Sequence, residues 1–199
     1  MNSKRLLLLA ALSAMLAFAA WNDALACACC TNDGQRRVGV EKFDSGKFTE
    51  IEQLKFAATA QLFTGERDPS DIKGIATPSA SYALQAAWAK DILVFTLRDK
   101  NGGAGTLSLQ RPATVSILEV DPRDSPDRGH GPGLYKEWKL TSRAAGTGIF
   151  SAASGPNQLI TLIVQGRGNS CTSANDFSHW TLAMQGPKAS YTFFGELVR

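Results

Sequence analysis

The sequence is poor in the residues that most often carry chemistry. It holds two histidines, four cysteines and three methionines in 199 residues. Two histidines, His130 and His179, are too few for a His-rich zinc hydrolase centre. Only Met184 lies beyond the N-terminal apolar run, which excludes copper handling through Met or His ligands. No GxSxG elbow, GxxxxGK[ST] loop or GxGxxG turn occurs. Ser70-Asp71-Ile72-Lys73 matches SxxK but lacks the SDN and KTG that accompany it in acyl-enzyme hydrolases. Internal repeats, low-complexity tracts and linkers are also missing.

An excess of charge of one sign is missing too. The formal charge is +3, so nothing in the composition calls for nucleic acid or an anionic lipid surface as partner. At 44% hydrophobic and 20% charged residues, the chain has the make-up of an ordinary globular protein.

The N-terminus carries an address. Lys4 and Arg5 precede an apolar run, Leu6 to Ala20, and Ala24-Leu25-Ala26 offers a small-x-small cleavage site. The run falls short of the roughly 20 residues of a spanning helix. The expectation is a signal peptide over 1–26, a cysteine-rich segment over 27–34 and one all-β domain over 35–199, exported to a periplasm or secreted. Cleavage removes Lys4, Arg5 and Asp23, taking the charge from +3 to +2. It also puts Cys27 at the new N-terminus, so an anchored lipoprotein is the alternative. Ala24 stands where bacterial lipoprotein sites usually carry Leu, which favours plain cleavage. No transmembrane segment is expected in the mature chain.

Period-two alternation dominates the rest of the chain. Tyr82, Leu84, Ala86 and Trp88 share one face, as do Leu93, Phe95 and Leu97, Leu107 and Leu109, and Trp138 and Leu140. Residues 159–165 are apolar on both faces, as in a central strand. Trp180, Leu182 and Met184 alternate, then Tyr191, Phe193 and Leu197. Turn residues separate the runs at Asn101–Gly103, Gly129–Gly133, Ser154–Asn157, Gly166–Asn169 and Gly186–Lys188, the last predicting a hairpin. This spacing predicts an antiparallel β-sandwich or closed β-barrel. Residues 49–63 fit a helical stripe and a strand equally, and the β neighbourhood favours strand. Most runs are too short and too polar outside for an outer-membrane barrel. The tryptophans are expected in the core, although inward positions of a barrel can also line a cavity.

All four cysteines, Cys27, Cys29, Cys30 and Cys171, lie beyond the cleavage site. In an exported chain an even count points to disulfides. Cys27–Cys30 with Cys29–Cys171 strains the chain least, and the long bridge could contribute about 4–5 kcal/mol. The same four thiolates could instead hold a soft ion, copper or zinc. The oxidising compartment and the non-standard CxCC spacing favour bridges, so no cofactor is expected. Cys27-Ala28-Cys29-Cys30 also contains CxxC, but no βαβ pattern comes after it to make it a thioredoxin-like motif.

The loop after Asp121 carries Asp124, Asp127, Arg128 and His130, with Tyr135 beyond it. The acids recur every third residue without EF-hand order, so a rigid loop is expected rather than a calcium site. Arg128, His130 and Tyr135 are candidate ligand contacts, because binding residues concentrate on such loops. Gly166-Arg167-Gly168-Asn169 could form an anion nest, but a β-turn is simpler. His179 is expected at a strand end, held by local hydrogen bonds. The sequence thus suggests a non-catalytic binding or interaction module whose partner is a small molecule or a protein. Metal handling by the cysteines is the alternative. A third is an extracytoplasmic hydrolase pairing His130 with an aspartate of 121–127.

Overall fold

The alternating segments fold as antiparallel strands, and the strands close on themselves. The computed structural model describes residues 36–64, 72–121, 133–168 and 173–198. In chain order they form β1 (Arg36–Lys42), α1 (Ser45–Glu52), β2 (Lys55–Phe56), β3 (Thr59–Leu62), β4 (Ser81–Ala89), β5 (Ile92–Asp99), β6 (Ala104–Gln110), β7 (Thr114–Val120), β8 (Tyr135–Gly146), β9 (Leu159–Arg167), β10 (Phe177–Gln185) and β11 (Tyr191–Val198). Short 3-10 turns occupy Gly148–Ala153 and Ala174–Asp176.

Strands β3, β4, β5, β6, β8, β9, β10 and β11 follow one another around a closed eight-stranded barrel, with β11 returning to β3. Of the two expected all-β architectures, the barrel is the one formed. The Gly186–Lys188 hairpin joins β10 to β11 with Met184 opposite Tyr191.

Strand β8 is the longest at 12 residues, and two strands share one of its edges. Leu107 and Leu109 of β6 face Gly146 and Ala144, while Ser116 to Val120 of β7 face Lys139 to Tyr135. Strands β6 and β7 therefore lie end to end. Pro112 sits in the gap between them and has no N–H to offer a ladder. On its far edge β7 carries β1, from Arg36 opposite Val120 to Lys42 opposite Thr114. Strands β1 and β7 make a flange beside the barrel.

Residues 49–63 depart from the expected strand. The segment opens inside α1 and becomes extended only at β2 and β3. Asp44 caps the helix, its Oδ1 accepting from Lys47 N at 3.0 Å. Phe48 packs edge-on against Trp88 at 4.9 Å, Ile51 is fully buried, and the Arg111 guanidinium stacks 4.1 Å over Phe48. The helix thus covers the barrel end where β4 finishes and β5 begins. The expected turn at Gly166–Asn169 also begins later. Gly166 and Arg167 belong to β9, with Gly166 paired to Lys136 and Phe177. Asn169 lies outside the described residues.

Large side chains fill the barrel. Trp138, Trp180, Phe95, Phe150 and Phe193 are fully buried, as are Leu93, Leu97, Leu107 and Leu109. Phe56 touches both Phe95 (5.3 Å) and Trp180 (5.6 Å), while Phe193 meets Tyr82 (5.2 Å), Tyr191 (5.6 Å) and Phe150 (5.8 Å). Eight strands give an interior just wide enough to be packed in this way or to hold one small ligand; here it is packed. The seat for Trp180 is Gly195, its register partner, where a Cβ would stand 2.8 Å from Cζ2. Outward positions carry Thr59, Gln85, Thr96, Thr106 and Lys139, the reverse of the apolar-out, polar-in membrane barrel. No helix among the described residues is long and apolar enough to cross a membrane.

Candidate functional site

Two regions stand out, one at each end of the barrel. At the α1 end, register lines up charged residues. Arg37 lies opposite Glu119, Glu119 opposite Lys136, and Lys136 opposite Gly166. Directly opposed residues share a face, so Arg37, Glu119 and Lys136 point to the same side of the sheet. Arg37 Nη1 lies 3.3 Å from Glu119 Oε2. Lys136 is 2% exposed, and its Nζ donates to Asp176 Oδ2 at 2.7 Å. Gly166 adds no side chain between them. The row continues outward, since Arg37 also pairs with Glu41, and Lys47 bonds Glu41 (3.2 Å) and Asp44 (3.4 Å). The hydrogen bond from the Lys47 amide holds the Asp44 carboxyl below its ordinary value, and the Lys47 charge adds to this. Acids and bases thus alternate from the surface to the barrel interior. Such an arrangement offers rigidity: buried Glu119 has Arg37 as counter-charge, and buried Lys136 has Asp176.

This row lies beside the ends of the described segments that flank residues 122–132 and 169–172, which hold the sequence candidates Arg128, His130 and Cys171. Gly168 N donates to Leu134 O at 3.0 Å, and Gly133 packs so closely that a Cβ there would lie 3.0 Å from Gly168 Cα. The structure therefore brings together the residues just after 122–132 and those just before 169–172. Arg128 and His130 themselves lie outside the described residues. So do Cys27, Cys29, Cys30, Cys171, Asp124, Asp127, Ser70, Asp71 and residues 1–26, where a signal peptide is expected. Tyr135 stands on the outer wall, on the opposite face of β8 from Lys136. Its hydroxyl hydrogen is shared between Glu137 Oε2 (3.2 Å) and Gln165 Oε1 (3.3 Å). Burial, reinforced by the Glu137 charge, pushes its pKa up. Asp121 is buried at the end of β7. His179 is exposed on β10, with Nδ1 2.8 Å from Ser178 Oγ, the local hydrogen bond its sequence suggested. Among the described residues no three His, Cys, Asp or Glu side chains form a metal-binding group.

The other end carries an open cleft of about 410 Å³ in the outer wall. Its lining includes the small side chains Ala58, Ser81 and Ala83, with Thr59 beside them. Arg98 stands opposite Ala83, and Lys100 follows at the turn into β6. Among the described residues neither cation makes an ion pair. The intervening Asp99 is mostly buried but also lines the cleft, and its Oδ1 accepts from Asn101 N and Gly103 N, each at 2.8 Å. Sequence reasoning saw only a turn at Asn101–Gly103. The available signal was parity: Arg98 lies outward on β5, and small residues occupy the outward positions of β4 beside it.

Compared with known proteins, the chain matches no family model, no curated protein and no solved structure.

Proposed function

We propose that this chain is an exported, non-catalytic binding module that holds an acidic group of a small molecule or protein in the cleft between Arg98 and Lys100. One observation carries the reading: two cations with no carboxylate partner among the described residues stand over a floor of small residues. An anion there gains two charge-assisted contacts and meets Ser81 and Thr59 hydroxyls. The filled interior supports a site on the wall rather than inside the barrel. Export rests on the N-terminal sequence alone.

The test is a titration of citrate and inorganic phosphate into isotope-labelled protein at fixed ionic strength, followed by amide shifts. Saturable shifts around Ser81, Arg98 and Lys100 are expected, and they should vanish in Arg98→Gln/Lys100→Gln. Equal binding by that variant, or none by the native chain, overturns the proposal. Turnover of ester or glycoside probes that His130→Ala abolishes would make the protein a hydrolase instead.

A further inference from the structure

We propose that two copies of the chain join through the outer edge of β1, antiparallel and centred on Gly39. Strand β1 is hydrogen-bonded to β7 along one edge, and no described strand pairs with the other. An edge of this kind is a template for another strand. Val38 and Val40 are 66% and 70% exposed, more than any other large apolar residue described. Between them Gly39 leaves bare backbone, with nothing within 4 Å of where a Cβ would stand.

The sequence Arg36-Arg37-Val38-Gly39-Val40-Glu41-Lys42 identifies the occupant as a second copy. Laid antiparallel on itself about Gly39, it sets Val38 against Val40 of the other copy, and Arg37 against Glu41. By symmetry each pairing occurs twice. A parallel alignment would instead oppose Arg37 to Arg37 and Glu41 to Glu41. Sliding the antiparallel register by two residues either way sets Arg37 against Gly39 or Glu41 against Gly39, and both charge matches are lost. Only the Gly39-centred register satisfies the charged and apolar pairs together. Its one mismatch, Arg36 against Lys42, falls at the strand ends, where long exposed side chains can splay. Within its own chain Arg37 already contacts Glu41 and Glu119, and a guanidinium with five donors can serve a further carboxylate.

The product is a four-stranded sheet, β7–β1–β1–β7, linking two barrels. It is isologous, so it closes at two copies and does not grow into fibres. The same cations that would guard this edge against foreign strands become complementary only to the reversed copy.

Light scattering across a dilution series of the mature exported protein tests this. The native chain should show the mass of two copies, falling to one on dilution. Val38→Lys/Val40→Lys and Val38→Glu/Val40→Glu should each stay monomeric, since like charges then face each other. Both sites are exposed, so both variants should keep the native circular dichroism and melting temperature. Mixed in equal amounts, the two variants should dimerise again, because opposite charges then meet at both facing pairs. A native chain that is monomeric throughout overturns the proposal. So does a dimer that Val38→Lys/Val40→Lys leaves intact, or a mixture of folded variants that does not associate.

Discussion

Lys136 shows how a single residue can matter without touching a ligand. Its ammonium is buried between Asp176 and the strand carrying Glu119. Lys136→Met removes the cation that Asp176 contacts at 2.7 Å, while Glu119 keeps Arg37. The expected cost is about 3 kcal/mol in urea denaturation, the scale of breaking a buried pair from one side. Tyr191 makes the opposite case. Its buried hydroxyl has no hydrogen-bond partner among the described residues, and burial, with a smaller effect of Tyr82, pushes its pKa well above the usual 10.0. Above that pH the unfolded chain releases the phenolic proton while the folded chain keeps it, so stability falls as pH rises. Tyr191→Phe should cost little at neutral pH and flatten the loss of melting temperature on the alkaline side. Period-two parity marked Trp138, Trp180 and Phe193 for the interior. It could not announce Lys136 as an ion pair, because Asp176 is 40 residues away and only the fold brings the two together.

Among elements, strands were legible and their limits were not. Alternation located β4, β5, β6, β10 and β11, because one face of each is buried and the other wet. The helical reading of residues 49–63 lost to strand because the helix is short and buries only Ile51 completely. Asp44, three residues before the amide it caps, was the available signal. Strand β9 runs through Gly166 because pairing to β8 and β10 on both edges outweighs the turn preference of glycine. Gly195 likewise reads as a weak strand residue until Trp180 is seen against it. Gly195→Val should force the indole from its seat and cost about 2 kcal/mol by overpacking. A lower melting temperature and altered tryptophan fluorescence would show this, and unchanged values would mean that the pair is not tightly packed.

For the whole molecule, alternation could not choose between sandwich and barrel. Closure depends on β3 meeting β11, where Leu62 faces Phe193 across the length of the domain. Local sequence carries no trace of such a pairing. The Arg98–Lys100 cleft was invisible for the same reason, since its floor comes from around β3 and β4 and its cations from β5 and the turn after it. The cysteine reading belongs to this scale as well, because Cys171 and the N-terminal cluster mark opposite ends of the chain. Intact mass spectrometry of protein exported with its own leader should give a chain beginning at Cys27, lighter by the hydrogens of two disulfides. Retained metal with free thiols would instead make the cluster a metal site, and added diacylglycerol would make Cys27 an anchor.

The end-to-end placement of β6 and β7 along β8 also bears on how the protein could be dissected. An engineer seeking a minimal barrel would cut away β1 and β7 as an appendage. That cut would bare one edge of β8 from Tyr135 to Lys139 and take Glu119 from beside Lys136. Strand β8 is therefore common property of barrel and flange. The smallest version of this molecule that can stand alone includes both.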